Sequence, residues 1–481
     1  MEKSLLTDIL KTFSKVEFKE FVLFVGSPYF NREKVLQRFA EVLHDCYPDF
    51  EKPNEEFFST LYPGKVYSDS LMRNIKSDML RLAEKFLSVN GFLTSQKEVK
   101  KELVIQLSSR NLSKHSMKHL SSLRNMIDTE EIKDGDHFLD KFHIEREYDS
   151  LIEKSSDKYI RNETHDAILE NLVNFFMINF IHQSTAELNR GKIITDSRRE
   201  IPMLSMIDNI LEGDGKFLLK VPYINMVYNV YKLLKEEDEK YFHELKKIIA
   251  EGMNGVSDDH KLGVYSAASN FAYLKVLSGD LRYIRDQYEI IMYTVKSGIH
   301  KRQKGHLPFV VYMNAVITGL EVDKIAEAEA FAEEYNSELI EEYRNSARHF
   351  CRGLISYKMK DYDDAVTELS RVVTEDFSFK QQIKSLYLKI YFDLNESEPF
   401  HFHTDSYKHF ISENKMIHTL VRKQLSDYLK YAKKLFALKN SEDGIDKFEL
   451  NKLTDEIKSS PSLINRKWLL EKADEIKNSK S

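Results

Sequence analysis

The densest cluster of possible metal ligands lies in the segment PFHFHTDSYKHF, residues 399–410. It contains His401, His403, Asp405 and His409, and imidazole and carboxylate groups are ordinary zinc ligands. On a strand, His401 and His403 would face one side and could share a metal ion. On a helix, residues two apart point in different directions, and the pattern here predicts a loop that enters a helix. We therefore expect a polar, partly exposed loop without a metal, because zinc also needs a third ligand and supporting hydrogen bonds.

A second stretch rich in carboxylates and histidines is DGDHFLDKFHIERE, residues 134–147. Its candidate ligands are Asp134, Asp136, His137, Asp140 and His143. The stretch lacks the glycine and the terminal glutamate spacing of a calcium loop, and the chain contains no HExxH motif. His137 and Asp140 are three residues apart and could pair on one helix face. We expect a solvated, charged face here.

Other chemical motifs are absent from the sequence. There is no phosphate-binding glycine loop, no GxSxG motif and no recognisable Cys–His pair. The most basic short run, KSGIHKRQKGH at 296–306, is predicted to be an extended loop that could contact phosphate or an acidic partner. We predict no catalytic residue, no metal and no cofactor.

The composition indicates a helical protein, so any functional site must be formed by side chains on helices. The chain has 481 residues but only 16 glycines and 9 prolines, with 42% hydrophobic and 31% charged residues. Sheets and long loops need many turn residues, so a chain this poor in them is predicted to be all-α, with short connections. Apolar residues recur at helical spacing along almost the whole chain.

Charge and cysteine usage restrict the class of protein. The net charge is −6, whereas a nucleic-acid binder normally presents a strongly basic face. Residues 1–100 contain equal numbers of basic and acidic side chains, which argues against a nucleic-acid partner. Cys46 and Cys351 form no CxxC pair, and two cysteines fit a reducing compartment.

Targeting and membrane segments are not indicated by the sequence. The start, MEKSLLTDILKTF, has no apolar core typical of a signal peptide. The most apolar window, AILENLVNFFMINFIHQ at 167–183, is interrupted by Glu170 and three asparagines and is short for a membrane span. We predict a buried helix there, no membrane contact and a cytoplasmic protein.

The segment GSPYFN, residues 26–31, separates two stretches in which apolar residues recur at helical spacing, 18–25 and 35–43. Gly26 can adopt the left-handed conformation that ends a helix, and Asn31 is a good N-cap for the next helix. Tyr29 and Phe30 are predicted to fold back onto the helix pair, since burial stabilises an aromatic side chain by about 1.5–3 kcal/mol. A helix–helix corner is the favoured interpretation, and a recognition loop is the alternative.

Helix pairs recur from about residue 220, most clearly in SARHFCRGLISYKMKDYDDAVTELSRVVTED, residues 346–376. This segment resembles a tetratricopeptide repeat. Gly353 occupies the close-approach position of the first helix, and Ala365 is the small residue where the two helices cross. The segment departs from the family pattern at Lys360, which replaces a turn glycine, and at Phe377, which replaces a proline. Weaker copies occur at 265–295, 309–335 and 224–249, and 379–414 and 418–440 could continue the stack.

The resemblance implies a concave surface, built from first helices, that binds a peptide or a helix of a partner. By position, its predicted residues are Tyr273, Leu277, Phe350, Leu354, Tyr357 and Lys358. The alternative is that Phe350 and Leu354 simply pack against the adjacent repeat, as large apolar residues often do. The Lys/Asn set by which some family members hold a terminal carboxylate is not visible.

The helical periodicity predicts an N-terminal helical bundle, and the resemblance implies that a tetratricopeptide-like, right-handed superhelix of helix hairpins follows it. The predicted regions are a compact helical domain at 1–95, a helical connection at 96–220, repeats at 221–440 and capping helices at 441–481. Trp468, the only tryptophan, lies in the last of these helices and is expected to pack inward where that helix docks as a C-terminal cap.

Three functions follow as hypotheses. The first is a non-enzymatic scaffold that binds a protein or peptide partner, and this is the function we predict. The second is a transcriptional or signalling regulator whose N-terminal domain binds nucleic acid while the repeats sense a peptide. The third is an enzyme built on helices, which would need His, Asp or Glu side chains converging in one pocket.

Overall fold

The structure of the protein is a computed structural model. The structure describes residues 4–152, 158–194, 203–414, 419–441 and 446–478, and for 158–162 and 189–194 it describes the backbone alone. Within these ranges every regular element is a helix and no strand occurs. The all-α prediction is therefore confirmed for the described part of the chain.

The chain divides into two compact units, Met1–Thr129 with Asp140–Ile168, and Glu130–Leu139 with Leu169–Ser481. The predicted division into four regions stays a prediction. The helices that contribute to the first unit are α1 Leu5–Leu10, α2 Lys15–Gly26, α3 Lys34–Asp45, α4 Asn54–Leu61, α5 Asp69–Thr94, α6 Gln96–Ser109, α7 Ser113–Asp128, α8 Gly135–Ile152 and α9 Lys158–Ile194. Helices α8 and α9 contribute residues to both units.

The first unit has an aromatic core. Phe21 is fully buried, and its ring lies 5.6 Å from Phe13 and 5.5 Å from Phe86, between ring centroids. Serine side chains begin two of the helices, because Ser4 and Ser14 each form a capping box with the residue three positions later.

The GSPYFN corner joins α2 to α3. Phe30 stacks on Phe24 with ring centroids 4.0 Å apart, and the buried side chain of Asn31 donates a 2.9 Å hydrogen bond to the Val25 carbonyl. Tyr29, in contrast, is 88% exposed. The inward packing predicted for Phe30 is confirmed, and that predicted for Tyr29 is wrong.

The ends of the two helices differ from the prediction. Gly26 is the last residue of α2 and does not adopt a left-handed conformation. The N-cap of α3 is Glu33, and Asn31 instead accepts a 3.0 Å hydrogen bond from the Glu33 backbone N–H. Asn31 thus fixes the turn through a side-chain-to-backbone loop rather than through a helix cap.

The second unit continues with fifteen further α-helices in the described ranges. They are α10 Leu204–Glu212, α11 Pro222–Glu236, α12 Glu239–Ala250, α13 Asp258–Ser278, α14 Tyr283–Lys296, α15 Ile299–Lys304, α16 Phe309–Glu321, α17 Ile325–Tyr335, α18 Glu341–Lys358, α19 Tyr362–Ser370, α20 Phe377–Leu394, α21 Ser397–Glu413, α22 Thr419–Lys439, α23 Lys447–Ser459 and α24 Arg466–Asn478. Short 3-10 helices cover Asp214–Lys220 and Asn336–Glu338.

Neighbouring helices in this unit pack in pairs, α11 with α12, α13 with α14, α16 with α17, α18 with α19 and α20 with α21. In the best repeat, a Cβ atom on Gly353 would lie 3.3 Å from the Ala365 carbonyl oxygen and 3.2 Å from Leu369 Cγ. Ala365 is fully buried. The predicted close approach of α18 and α19 is therefore confirmed. Lys360, at the turn glycine position, adopts a left-handed φ of 66°.

Two predicted loops are helices instead. Residues 399–410 lie within α21, whose first turn contains Pro399, and proline is compatible with the first turn of a helix because the N–H there needs no intrahelical acceptor. The basic run 296–306 contains the short helix α15 instead of an extended loop. Its Arg302 binds Asp258 at 2.7 Å, and its Lys301 binds Glu338 at 3.2 Å.

None of the helices in the described ranges combines the length and the apolar character that a membrane crossing requires. The apolar window 167–183 lies within α9. Met177, Ile178 and Ile181 of this helix belong to the core of the second unit. The predicted burial of this stretch is confirmed for these three side chains.

Candidate partner-binding groove

Two of the predicted groove residues pack inside the helical array. Phe350 is 1% exposed, and its ring lies edge-on to Phe379 with centroids 5.1 Å apart. Leu354 is partly buried between two apolar clusters, one around Ala347 and one around Ala365. Phe350 is thus buried by packing within the array, and Leu354 packs mainly within it, which is the alternative considered for both.

Leu277 is covered by the C-terminal segment of the chain. Its side chain is 5% exposed. Its backbone carbonyl accepts hydrogen bonds from the Leu463 N–H at 3.1 Å and from the Arg466 guanidinium at 2.6 Å. The segment between α23 and α24 thus lies on the end of α13.

The Arg466 guanidinium is bound by backbone carbonyls. It is 2% exposed and donates to the carbonyls of Ile457 at 2.9 Å, Lys458 at 2.6 Å and Leu277, and also to that of Ser460. Burial lowers the pKa of this side chain. The C-terminal ends of α13 and α23 meet at this cation, where helix carbonyls carry partial negative charge.

Tyr357 belongs to a hydrogen-bonded network with the last helix. Its hydroxyl accepts from Trp468 Nε1 at 2.9 Å and donates to Asp393 Oδ2 at 2.8 Å. The other carboxylate oxygen of Asp393 binds Lys472 at 2.7 Å, and both of these side chains are nearly buried. Burial, reinforced by the Asp393 charge, raises the pKa of Tyr357 well above its ordinary value.

Lys358 forms an ion pair with Asp323 at 2.7 Å. Asp323 has a φ of 60° in the turn between α16 and α17, and the hydrogen bond from Lys358 lowers its pKa. Lys358 therefore joins two helix pairs of the array.

Tyr273 is the one predicted groove residue that remains open, at 42% exposure. It lines a cavity of about 270 Å³, whose walls come from α13, α14, α16, α20 and α22 and from residues 463–467. The apolar walls include Val276, Ile317 and Phe377. Desolvation by the surrounding residues raises the pKa of the Tyr273 hydroxyl.

Six of the polar residues that line this cavity carry side-chain amides: Gln287, Asn314, Gln381, Gln382, Gln424 and Asn465. The other polar residues of the lining are Tyr273, Thr318, Glu321, Ser378, Arg466 and Lys467. Gln424 donates to Ser462 at 2.6 Å and Gln381 donates to Tyr407 at 3.2 Å. The side chains of Gln287, Asn314, Gln382 and Tyr273 make no hydrogen bond to another residue in the described ranges.

Sequence reasoning missed these amides and the covering C-terminal segment. Asn314 carried a signal, since it is a polar residue inside the apolar run FVVYMNAVITG of α16. The covering C-terminal segment carried no such signal, because Arg466 and Leu277 are 189 residues apart in the sequence. Trp468 was expected to dock in its helix, and its 6% exposure confirms this.

The candidate metal ligands of residues 399–410 do not converge, because each side chain on α21 has different surroundings. His403 donates from Nε2 to the Lys384 carbonyl at 2.8 Å, and Asp405 binds Lys433 at 2.8 Å. His409 lies 3.4 Å from Glu413, and His401 is exposed. Among the described residues, no three His, Cys, Asp or Glu side chains are grouped as metal ligands.

The expected solvated face at 134–147 is wrong for His137 and Asp140, which are 4% and 5% exposed. They do not pair with each other. His137 Nδ1 lies 3.0 Å from Glu130, while Asp140 binds Lys97 at 2.7 Å and also Lys101. Asp136 and His143 are exposed as expected.

Comparisons with protein-family models, with curated proteins and with solved structures find no match to this chain.

Proposed function

We propose that this protein is a non-enzymatic interaction scaffold that binds a short peptide segment of a partner protein in the amide-lined cavity. One observation carries the proposal. Tyr273, Gln287, Asn314 and Gln382 meet at this cavity, and their side chains have no hydrogen-bond partner in the described part of the chain.

A peptide backbone has the chemistry that such a lining recognises. Each side-chain amide offers two donor hydrogens and one acceptor oxygen, which match the carbonyl and N–H groups of an extended chain. Polar groups that converge in an otherwise apolar pocket are typical of a binding site. The apolar side chains of Val276, Ile317 and Phe377 would contact the side chains of the peptide.

The size of the cavity limits the ligand. Ligand pockets usually measure about 300–1,000 Å³, and this one lies just below that range, at about 270 Å³. The ends of the predicted groove near Tyr357 and Leu277 are covered by residues 463–472. The proposal is therefore for a few residues of extended chain, and not for a partner helix.

The proposal includes the tetratricopeptide-like, right-handed superhelix of helix hairpins. Its support is the sequential pairing of helices from α11 to α21 and the close approach at Gly353. A small residue is needed where two helix backbones nearly touch, and the same relation holds where a Cβ on Gly319 would lie 3.3 Å from Ala328 Cβ.

The test is selection of binding peptides from a displayed random library on the immobilised full-length protein. Selected peptides are then measured by calorimetry against Asn314→Leu, which removes the amide from the cavity. Asn345→Leu is the matched control, because Asn345 is an exposed residue of α18 outside the cavity. Both variants are checked for helix content and melting temperature.

We expect Asn345→Leu to bind the selected peptides like the original chain and Asn314→Leu to bind them at least about tenfold more weakly, since loss of a buried polar partner costs about 1–3 kcal/mol. Failure to select any peptide would contradict the proposal. Equal binding by the two variants would also contradict it.

A further inference from the structure

A second pocket, separate from the amide-lined cavity, lies between α9, α11 and α13 in the second unit. Its volume is about 150 Å³. Two histidines line it, His182 and His260, and most of the remaining wall is apolar: Ala186, Met226, Val227, Val230 and Val264.

His260 is held firmly through one ring nitrogen. Its Nδ1 lies 2.7 Å from the Tyr223 hydroxyl and 2.8 Å from Ser257 Oγ. Its Nε2 is buried and has no hydrogen-bond partner among the described residues. Buried polar atoms are normally paired, so Nε2 is an unmet hydrogen-bonding group of a residue that lines the pocket. Because Nε2 is buried, a ligand oxygen reaches it only when a neighbouring side chain moves aside.

His182 packs against this imidazole. The two rings meet at 64° with centroids 4.1 Å apart, and no third metal-binding side chain joins them in the described ranges. Burial lowers the pKa of both histidines, that of His260 to about 4 with a smaller effect from His182. Both rings are therefore neutral at neutral pH, and the pocket favours a neutral ligand.

Gly263 leaves the mouth of the pocket open. It is an exposed residue inside α13 that lines the pocket, and a Cβ atom there would meet nothing within 4 Å. Glycine is disfavoured inside a helix relative to alanine. Its presence here keeps this side of the pocket free of a side chain.

We propose that this pocket binds a small neutral molecule with an apolar body and one hydroxyl group, which hydrogen-bonds to Nε2 of His260. A hydroxyl can both donate and accept, so it satisfies Nε2 in either tautomer of the ring. The apolar body fits the walls, since an apolar cavity of about 150 Å³ holds a molecule the size of benzene. Tyr223 and Ser257 hold the ring through Nδ1, which leaves Nε2 as the ring nitrogen for the ligand.

The test uses phenol as the probe and benzene as its counterpart without a hydroxyl. Binding of each to the full-length protein is measured by ligand-observed NMR titration. We expect phenol to bind about two- to tenfold more tightly than benzene, the range that one net hydrogen bond provides.

Three variants locate the site. Gly263→Leu places a side chain at the mouth and is expected to weaken phenol binding at least about tenfold. Gly91→Leu is the matched control, because Gly91 is also an exposed helical glycine with open space around it; this variant is expected to bind phenol like the original chain. His260→Phe keeps a ring but removes Nε2, so phenol and benzene are expected to bind it equally.

Melting temperatures of all three variants show whether each is folded. The proposal is overturned if phenol at millimolar concentration does not bind the folded original chain. It is also overturned if folded Gly263→Leu binds phenol as tightly as Gly91→Leu, or if phenol keeps its advantage in folded His260→Phe. These outcomes do not involve peptide binding, so they are independent of the function proposed above.

Discussion

The indole Nε1 of Trp468 donates a 2.9 Å hydrogen bond to the hydroxyl of Tyr357, although 111 residues separate the two along the chain. The same hydroxyl donates to Asp393, which also binds Lys472. The last helix is therefore fixed to α18 and α20 by a nearly buried polar network. A buried polar network that loses one member is costly, because the remaining polar groups are left without partners. Each member therefore affects the docking of the C-terminal helix.

Tyr357→Phe tests this network. The change leaves Trp468 Nε1 and one oxygen of Asp393 without their partner, and an unpaired buried polar group costs about 1–3 kcal/mol. We expect the free energy of unfolding to fall by about that amount. Urea unfolding followed by tryptophan fluorescence measures it, since Trp468 is the only tryptophan.

The matched control is Tyr29→Phe, because Tyr29 is 88% exposed and its change should leave stability as it was. Trp468→Phe combined with Tyr357→Phe completes a double-mutant cycle, followed by circular dichroism. Strictly additive effects of the two changes would show that the hydrogen bond contributes nothing.

Arg466→Ala tests whether the buried guanidinium holds the ends of α13 and α23 together. It removes the donor for the carbonyls of Leu277, Ile457 and Lys458. Hydrogen bonds to a charged group contribute about 1.5–3 kcal/mol each, so we expect a loss of about 3 kcal/mol or more in thermal or urea unfolding.

Arg466→Lys is expected to recover only part of that loss, because an ammonium group is compact and cannot reach the same set of carbonyls as a planar guanidinium. Arg81→Ala serves as the surface control, with a side chain that is 73% exposed. A fully stable Arg466→Ala variant would contradict the role assigned to this residue.

Local features of the fold could be predicted from the sequence, and long-range ones could not. Few glycines and prolines predicted helices, and Gly353 with Ala365 predicted a helix crossing, because both depend on residues close in the chain. The cover over Leu277 depends on a residue 189 positions away, and periodicity specifies which helix face is apolar without specifying what packs on it.

The candidate site was predicted only in part for the same reason. Tyr273 was predicted as a groove residue and is 42% exposed, whereas Phe350 and Tyr357 make contacts within the chain. Large apolar side chains at repeat positions can face a partner or a neighbouring helix, and sequence alone does not separate the two. The unpaired amides become visible only once separate helices place them around one cavity.

Gly353→Val tests the close approach of α18 and α19. The neighbours of a Cβ here include the Ala365 backbone carbonyl, which cannot move aside as a flexible side chain would. Overpacking of this kind costs about 1–3 kcal/mol, so we expect stability to fall by that amount in urea unfolding.

Gly91→Ala provides the comparison, since Gly91 lies in α5 with no atom within 4 Å of an added Cβ. There the gain in helix propensity acts alone, and we expect stability to rise by about 0.5–1 kcal/mol. A Gly353→Val variant as stable as the original chain would mean that the two helices are further apart than described.

We expect His403 to make the stability of the second unit depend on pH. Its Nε2 donates to the Lys384 carbonyl, and burial lowers its pKa from 6.5 to about 4. Between these two values the unfolded chain binds more protons than the folded one, so the free energy of unfolding falls as pH decreases from 6.5 to 4. His403→Gln keeps an N–H donor without the titration, and we expect urea unfolding across this pH range to show a shallower fall. Part of the fall remains, because His260 is shifted in the same direction.

The control is His409→Gln on the same helix, because the His409 side chain is 75% exposed. This variant should leave the slope of stability against pH unchanged. Equal slopes in both variants would rule out His403 as a source of the acid sensitivity.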